Sequence, residues 1–314
     1  MKLSLHRALA LTAVGALLVT GATACNRGGE SAAGSNPKVV LALSTLNNPF
    51  FVEVRDGAQE AAKAANIQLE VVDAQNDSAN QANQLANAQT SGAKGVIVNP
   101  VDSDAASASV TALTKADIPV VGVDRTVNDA TLSSLVASDN VAGGKQAAEE
   151  LAAALGEKGS IIVLQGVAGT SASRDRGAGF MEGMKAFPDI KIVAQQTANF
   201  DRAAALDVTT NLLQANPGVT GIFAENDEMA LGAVQALGAK AGKEVKVVGF
   251  DGTTDGLAAI ENGTLVASIA QQPGKLGQLA VEQIAKVLNG EKIEATVPVG
   301  VVTVNAKNVG EFSK

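Results

Sequence analysis

From residue 38 onward, short apolar β-branched runs alternate with longer stretches rich in Ala and Gln. The first runs read as strands at 38–44, 67–74, 95–100, 119–124 and 134–138, separated by helical patterns near 50–65, 78–92 and 103–116. A second series follows, with strands near 160–165, 190–197, 219–224, 245–250 and 265–270. Its helices fall near 140–155, 170–187, 201–215, 227–240, 254–261 and 275–289. Continuous Val/Ile/Leu strands separated by helices form parallel sheets covered on both faces. Two series of about five strands therefore predict an α/β chain of two doubly wound parallel-sheet lobes.

Sheets of this kind hold ligands beyond the carboxyl ends of their strands. The residues that follow each strand are accordingly the candidate site. After the first strand come Ser44, Asn48, Phe50 and Phe51, and after the fourth Asp124 and Arg125. In the second series the segment 166–177, GVAGTSASRDRG, brings Arg174 and Arg176. Phe200, Asn226, Asp251 and Gln271 follow its later strands. Each has a plain structural alternative. Asn48-Pro49 and Asn226 suit helix N-termini, Asp251-Gly252 suits a turn, and Asp124-Arg125 suits a surface ion pair. Phe50 and Phe51 suit a core, although adjacent helical residues lie about 100° apart and do not share one central stripe. Their shared position at strand ends is what singles them out.

Composition narrows the chemistry. The chain has 314 residues, 46% of them apolar, a net charge of −8 and no large basic cluster, so a nucleic-acid footprint is missing. Its single His, His6, lies in an N-terminal stretch with the layout of an export signal: Lys2, His6 and Arg7, then an apolar run from Ala8 to Val19. Removal of residues 1–24 leaves no imidazole. Ser-His-Asp and Cys-His catalysis and the usual zinc sites are thereby excluded, and no cofactor or metal is called for. The only Cys, Cys25, follows Ala22-Thr23-Ala24. That site fits ordinary signal cleavage and also resembles a bacterial lipobox, with Ala22 where Leu is usual. A lone exported Cys forms no internal disulfide, so the expectation is a lipidated Cys25. Residues 25–37 then serve as a Gly/Ser-rich tether.

Asp, Arg, Asn, Gln and Phe together are a set suited to sugars. Carboxylates, guanidiniums and amides each engage neighbouring hydroxyls with fixed geometry. Flat apolar rings cover the C–H faces of the sugar ring. The strings STLNNPFF, NPVDSDA, VDR, LQGVAGTSASRDRG, FDR, NDEMALGA, VVGFDGT and IAQQP carry a further inference. Over 38–304 they closely resemble the bacterial ribose-binding proteins, the substrate-binding components of ABC importers.

That resemblance implies a type I periplasmic-binding-protein fold: two lobes joined by a three-strand hinge, closing on one sugar. It assigns 38–138 plus 272–300 to the N-terminal lobe and 139–271 plus 301–314 to the C-terminal lobe. The implied ribose contacts are Ser44, Asn48, Phe50, Phe51, Asp124, Arg125, Arg176, Phe200, Asn226, Asp251 and Gln271, with Ser44 the weakest. The implied protein is a monomer without enzymatic activity, lipid-anchored outside the cytoplasmic membrane, that delivers D-ribose to a membrane permease. Three alternatives stay open: a receptor for another monosaccharide or polyol such as allose, xylose or galactose, a LacI-type regulator and a carboxylate hydrolase. Residues 1–37 argue against the regulator.

Overall fold

Apolar runs become strands and most of the stretches between them become helices. The first half contains β1 (Lys38–Leu43), α1 (Pro49–Ala64), β2 (Gln68–Asp73), α2 (Ser78–Thr90), β3 (Gly95–Val98), α3 (Ser107–Lys115), β4 (Val120–Val123) and β5 (Ser134–Ser138). Then follow α4 (Asn140–Leu155), β6 (Gly159–Gln165), α5 (Ser171–Met184), β7 (Ile190–Thr197), α6 (Arg202–Ala215), β8 (Gly221–Ala224) and α7 (Asp227–Leu237). The chain ends with β9 (Lys246–Asp251), α8 (Thr254–Glu261), β10 (Ala267–Ala270), α9 (Pro273–Leu288), β11 (Thr296–Val299) and β12 (Val302–Asn305). Among these elements only β4 to β5 and β11 to β12 lack an intervening helix. This computed structural model describes residues 36–312. The stretch expected to be an export signal, Cys25 and most of the expected tether lie outside the described residues.

The first sheet has strand order β11-β5-β4-β3-β1-β2 and is parallel throughout. The second has order β12-β10-β9-β8-β6-β7 and is parallel except for antiparallel β12. Helices cover both faces, so the inner strands β3, β4 and β8 are buried at every position. In the first lobe, α1 and α9 pack on β1, β3 and β4 through Val54, Ala58, Leu276, Ala280 and Ile284. In the second lobe Phe180 stacks on Phe223 with ring centroids 4.2 Å apart.

Each sheet has six strands, one more than the sequence pattern predicts. The extra pair, β11 (TVPV) and β12 (VTVN), are edge strands in which Thr, Pro and Asn interrupt the apolar run that marks the other strands. Pro298 lies within β11, at the sheet edge, where a missing N–H breaks no ladder. Helix α3 starts at Ser107 rather than 103, because Asp102 Oδ1 accepts from the backbone of Asp104 and Ala105 and forms a turn first. Helix α7 ends at Leu237, where Gly238 takes a positive φ of 54°.

The chain passes between the sheets three times: from β5 into α4, from β10 into α9, and from β11 into β12. These passages are tied together. The backbone N–H of Asp139 donates to Val299 O at 3.0 Å, and Gln272 Nε2 donates to Gly300 O at 2.9 Å. Away from the passages, Ser103 N–H donates to Gly169 O (2.9 Å), Ser171 N–H to Ser103 Oγ (3.3 Å) and Thr126 N–H to Ser171 Oγ (3.0 Å). The two lobes are thus in contact on both sides of the cleft between them.

Candidate functional site

Ten of the eleven predicted residues line one cavity between the carboxyl ends of the two sheets, with about 240 Å³ of free space when its open mouth is counted. Asn48, Phe50, Phe51, Asp124 and Arg125 come from the first lobe. Arg176, Phe200, Asn226 and Asp251 come from the second, and Gln271 from the β10–α9 passage. Ala172 also lines it, a small residue in the first turn of α5 with no chemical signal in the sequence. Ser44 does not line it. It follows β1 in the first-lobe interior, fully buried, with its hydroxyl unpartnered. A larger hollow, about 1310 Å³ between α1 and α9, holds none of the predicted residues. Its carboxylates are on the surface, and it lacks buried convergent polar groups, which are what mark a small-molecule site.

Local structure explains how each side chain arrives. Asn48 caps α1, its Oδ1 accepting from Phe50 N–H at 2.9 Å, with Pro49 at the first helical position. Asn226 caps α7 in the same way, accepting from Met229 N–H at 2.9 Å. Both plain readings of these asparagines are therefore correct, and both residues also line the cavity. Each spends its oxygen on the cap; Asn48 keeps its NH₂ group to offer, whereas Asn226 Nδ2 also donates to Phe200 O at 3.4 Å and keeps one N–H. The expectation that Phe50 and Phe51 do not share one core needs correcting. Both are buried and belong to the first-lobe core while also lining the cavity, with rings edge-to-face at 5.1 Å. The first turn of α1 is wedged between core and facing lobe, so two of its faces are covered rather than one.

Three cavity residues have left-handed backbones: Asp124 (φ 66°), Phe200 (φ 59°) and Asp251 (φ 120°). Such positions are unfavourable for residues other than Gly and cluster at functional sites. Phe200 also needs Gly166, because a Cβ there would lie 2.0 Å from its ring. Its ring in turn faces both cavity arginines, 5.6 Å from the Arg125 guanidinium and 5.7 Å from that of Arg176. Arg125 also sits 5.3 Å from the ring of Phe51.

Two acid–base pairs face the cavity, one per lobe. Arg125 Nε lies 3.5 Å from Asp124 Oδ2, and Arg125 Nη1 donates to Pro100 O at 3.0 Å. Arg176 Nη1 lies 3.5 Å from Asp251 Oδ1 and donates to Glu225 O at 2.7 Å, while its Nε donates to Asn140 Oδ1 at 2.9 Å. All four are buried. Burial pushes the Asp124 carboxyl up, opposed by Arg125, Arg176 and the hydrogen bond from Asn99. Burial likewise pushes Asp251 well above the usual carboxylate range, opposed by Arg176. Desolvation lowers Arg125, and Asp124 pulls it back. Gln271 Nε2 donates to Asp251 Oδ1 at 2.6 Å. Asp124 Oδ1, Arg125 Nε and Gln271 Oε1 have no hydrogen-bond partner. Unpaired buried polar atoms cost on the order of 1–3 kcal/mol each, so this cavity is suited to a ligand bearing both donors and acceptors.

Two supporting residues escaped the sequence reading. Asn99, fully buried beyond β3, donates to Asp124 Oδ2 at 3.1 Å. Glu225, fully buried beside Asn226, accepts from Gly166 N–H at 2.7 Å and from the Ser173 hydroxyl. Desolvation pushes its carboxyl up to about 7. Their only sequence signal is polarity directly after a strand. Among the described residues no group of three or more His, Cys, Asp or Glu is placed to hold a metal, and no helix is long and apolar enough to cross a membrane.

Comparison with known proteins agrees with the geometry. The model of a periplasmic binding protein domain matches residues 39–292. The ribose import binding protein RbsB of Haemophilus influenzae is 45% identical over 270 residues, covering 86% of this chain and 92% of the relative. RbsB of Escherichia coli K12 is 47% identical over 264 residues, covering 83% and 88%. Among solved structures, an ABC transporter periplasmic solute binding protein from Actinobacillus succinogenes with bound D-allose superposes with a TM-score of 0.82 at 34% identity. That match covers 88% of this chain and all of the other.

Proposed function

The chain belongs to the periplasmic binding protein family, and from that premise we propose that it captures D-ribose in the interlobe cavity and delivers it to the permease of an ABC importer. The observation that carries this reading is the cavity itself. Two buried acid–base pairs, three amides and three phenylalanine rings converge from both lobes, and relatives 45% and 47% identical over 86% and 83% of this chain are named ribose import binding proteins.

Asp124 and Asp251 accept sugar hydroxyls, Arg125 and Arg176 donate to them, and Asn48 and Asn226 donate from their NH₂ groups. Gln271 accepts through its unpaired Oε1. Phe50, Phe51 and Phe200 close over the C–H faces of the ring. Ser44 serves only behind the wall. The three passages form the hinge, and the Ser103–Gly169–Ser171–Thr126 contacts seal the closed lobes. The protein is monomeric and binds without chemistry. Cys25 carries the lipid that holds it at the outer face of the membrane, and the Cys25→Ser variant should leave the membrane fraction.

A panel of pentoses, hexoses and polyols in a dye-based melt tests the ligand. A ligand at a hundred times its Kd stabilises by about 2.7 kcal/mol through linkage, so ribose raises Tm clearly. No response to ribose beside a strong response to allose, xylose or galactose would replace ribose with that sugar.

A further inference from the structure

Asn99 touches no part of the cavity, yet its carboxamide organises the first-lobe wall. Its Oδ1 accepts from the backbone N–H of Ser44 at 3.2 Å. Its Nδ2 donates to Val123 O at 3.2 Å and to Asp124 Oδ2 at 3.1 Å. One amide therefore joins the ends of β1 and β4 to the acidic residue that follows β4. Asn99 is itself held from behind. Gln81 Nε2 donates to Asn99 O at 2.9 Å, and Gln81 Oε1 accepts from Val101 N–H at 2.9 Å. Both residues are buried.

Asp124 needs such a support. Its backbone is left-handed, and its ion contact with Arg125, at 3.5 Å, is too long to fix a carboxylate orientation. We propose that Asn99 is the positioning residue for Asp124, occupying Oδ2 so that Oδ1 is the oxygen left for a sugar hydroxyl. The proposal rests on the reading that Asp124 is a sugar contact. The residue type follows from the geometry. The position must donate to two oxygens and accept from one N–H, which a carboxamide does and a carboxylate does not. The charged groups facing Asp124 are Arg125 beside it, Arg176 from α5 and Asp251 from β9. Asn99 is the neutral neighbour, so a charge placed there adds a new titration next to Asp124.

The test is calorimetric ribose affinity from pH 5.5 to 8.5 for wild type, Asn99→Asp, Asn99→Ala, Asp124→Asn and the Asn99→Ala/Asp124→Asn double variant. Sugar-free melting curves establish folding. A protonated Asp at 99 can still donate to Asp124, whereas an ionised one repels it. Relative to wild type at each pH, Asn99→Asp should therefore lose on the order of tenfold more affinity at the alkaline end than at the acidic end. Asn99→Ala should lose on the order of tenfold alone and almost nothing further in the Asp124→Asn background, because its effect acts through Asp124. If Asn99→Asp does not fold, this cycle decides the matter alone. Equal losses from Asn99→Ala in both backgrounds would make Asn99 a structural strut and overturn the proposal. Unchanged affinity in Asp124→Asn would instead remove Asp124 from the sugar site, a separate failure visible in its own column of the data.

Discussion

Replacing Asp124 with alanine is the sharpest probe of the cavity. Asp124 is buried, with one oxygen held by Asn99 and the other unpartnered. Alanine removes a charged acceptor from the sugar, and hydrogen bonds to charged groups are worth about 1.5–3 kcal/mol. It also leaves the buried Arg125 guanidinium without its carboxylate, although Pro100 O still holds Nη1. Truncating one partner of a buried charged pair at a binding interface costs roughly 2–5 kcal/mol. Together these give a loss of about 2–5 kcal/mol, or between about thirtyfold and several-thousandfold in Kd. The chain has no Trp or Tyr, so intrinsic fluorescence is a poor reporter and titration calorimetry is the assay. A sugar-free melt of the same variant separates lost affinity from lost stability, since Asn99 and Arg125 both lose a partner in the folded protein. A Kd within threefold of wild type, with the fold intact, would refute the idea that Asp124 meets the sugar.

Phe200→Ala should weaken ribose by roughly 2 kcal/mol, because the ring packs on both cavity arginines and, in the proposed binding mode, on the sugar; calorimetry at neutral pH reads it. Gly169→Val tests the closed seam. A Cβ at Gly169 would lie 1.6 Å from Asp102 Oδ2 of the facing lobe, so the variant should bind about tenfold more weakly while its sugar-free Tm stays near wild type. Glu225→Gln tests a buried titration. Burial raises this carboxyl from 4.5 to about 7, so the folded state holds its proton longer than the unfolded chain and wild-type stability falls as pH rises between those values. The shift corresponds to about 3 kcal/mol. Chemical denaturation should show wild type losing roughly that much relative to Glu225→Gln between pH 4.5 and 8, and parallel pH profiles would contradict it.

The sequence revealed most of the wall and little of what stands behind it. Strand ends could be found because buried parallel strands are continuous apolar runs, and the carboxyl-end rule then pointed to Asp124, Arg125, Asn226 and Asp251 without any structure. Asn99 follows a strand too, but its partners Ser44 and Asp124 lie 55 and 25 residues away, and no local pattern encodes such a triangle. Ala172 was silent because an alanine carries no chemistry; it lines the cavity through its place in the first turn of α5. Phe50 and Phe51 were misjudged because helical periodicity assumes one buried face, whereas a helix start between two lobes has two. Strands β11 and β12 do not stand out because TVPV and VTVN break the apolar run with polar residues and a proline, unlike the equally short β3 and β8.

The choice of residue types has a physical reason that the wall makes visible. Almost every polar side chain in the cavity has part of its bonding capacity committed to the protein. Asn48 and Asn226 each give an oxygen to a helix N-terminus. Arg125 gives one nitrogen to Pro100, and Arg176 gives two to Asn140 and Glu225. Gln271 gives its NH₂ to Asp251 and keeps its oxygen. Serine or threonine has one hydroxyl proton, and once that proton is spent on fixing the side chain no donor is left. Amides, guanidiniums and carboxylates have several sites on one rigid plane, so one site can be tied down while another stays free at a fixed angle. Fixing the side chains before the ligand arrives reduces the ordering entropy lost on binding. The left-handed backbones of Asp124, Phe200 and Asp251 and the desolvated charges are costs set against that gain, and they are borne by cores whose inner strands β3, β4, β8 and β10 are buried at every position.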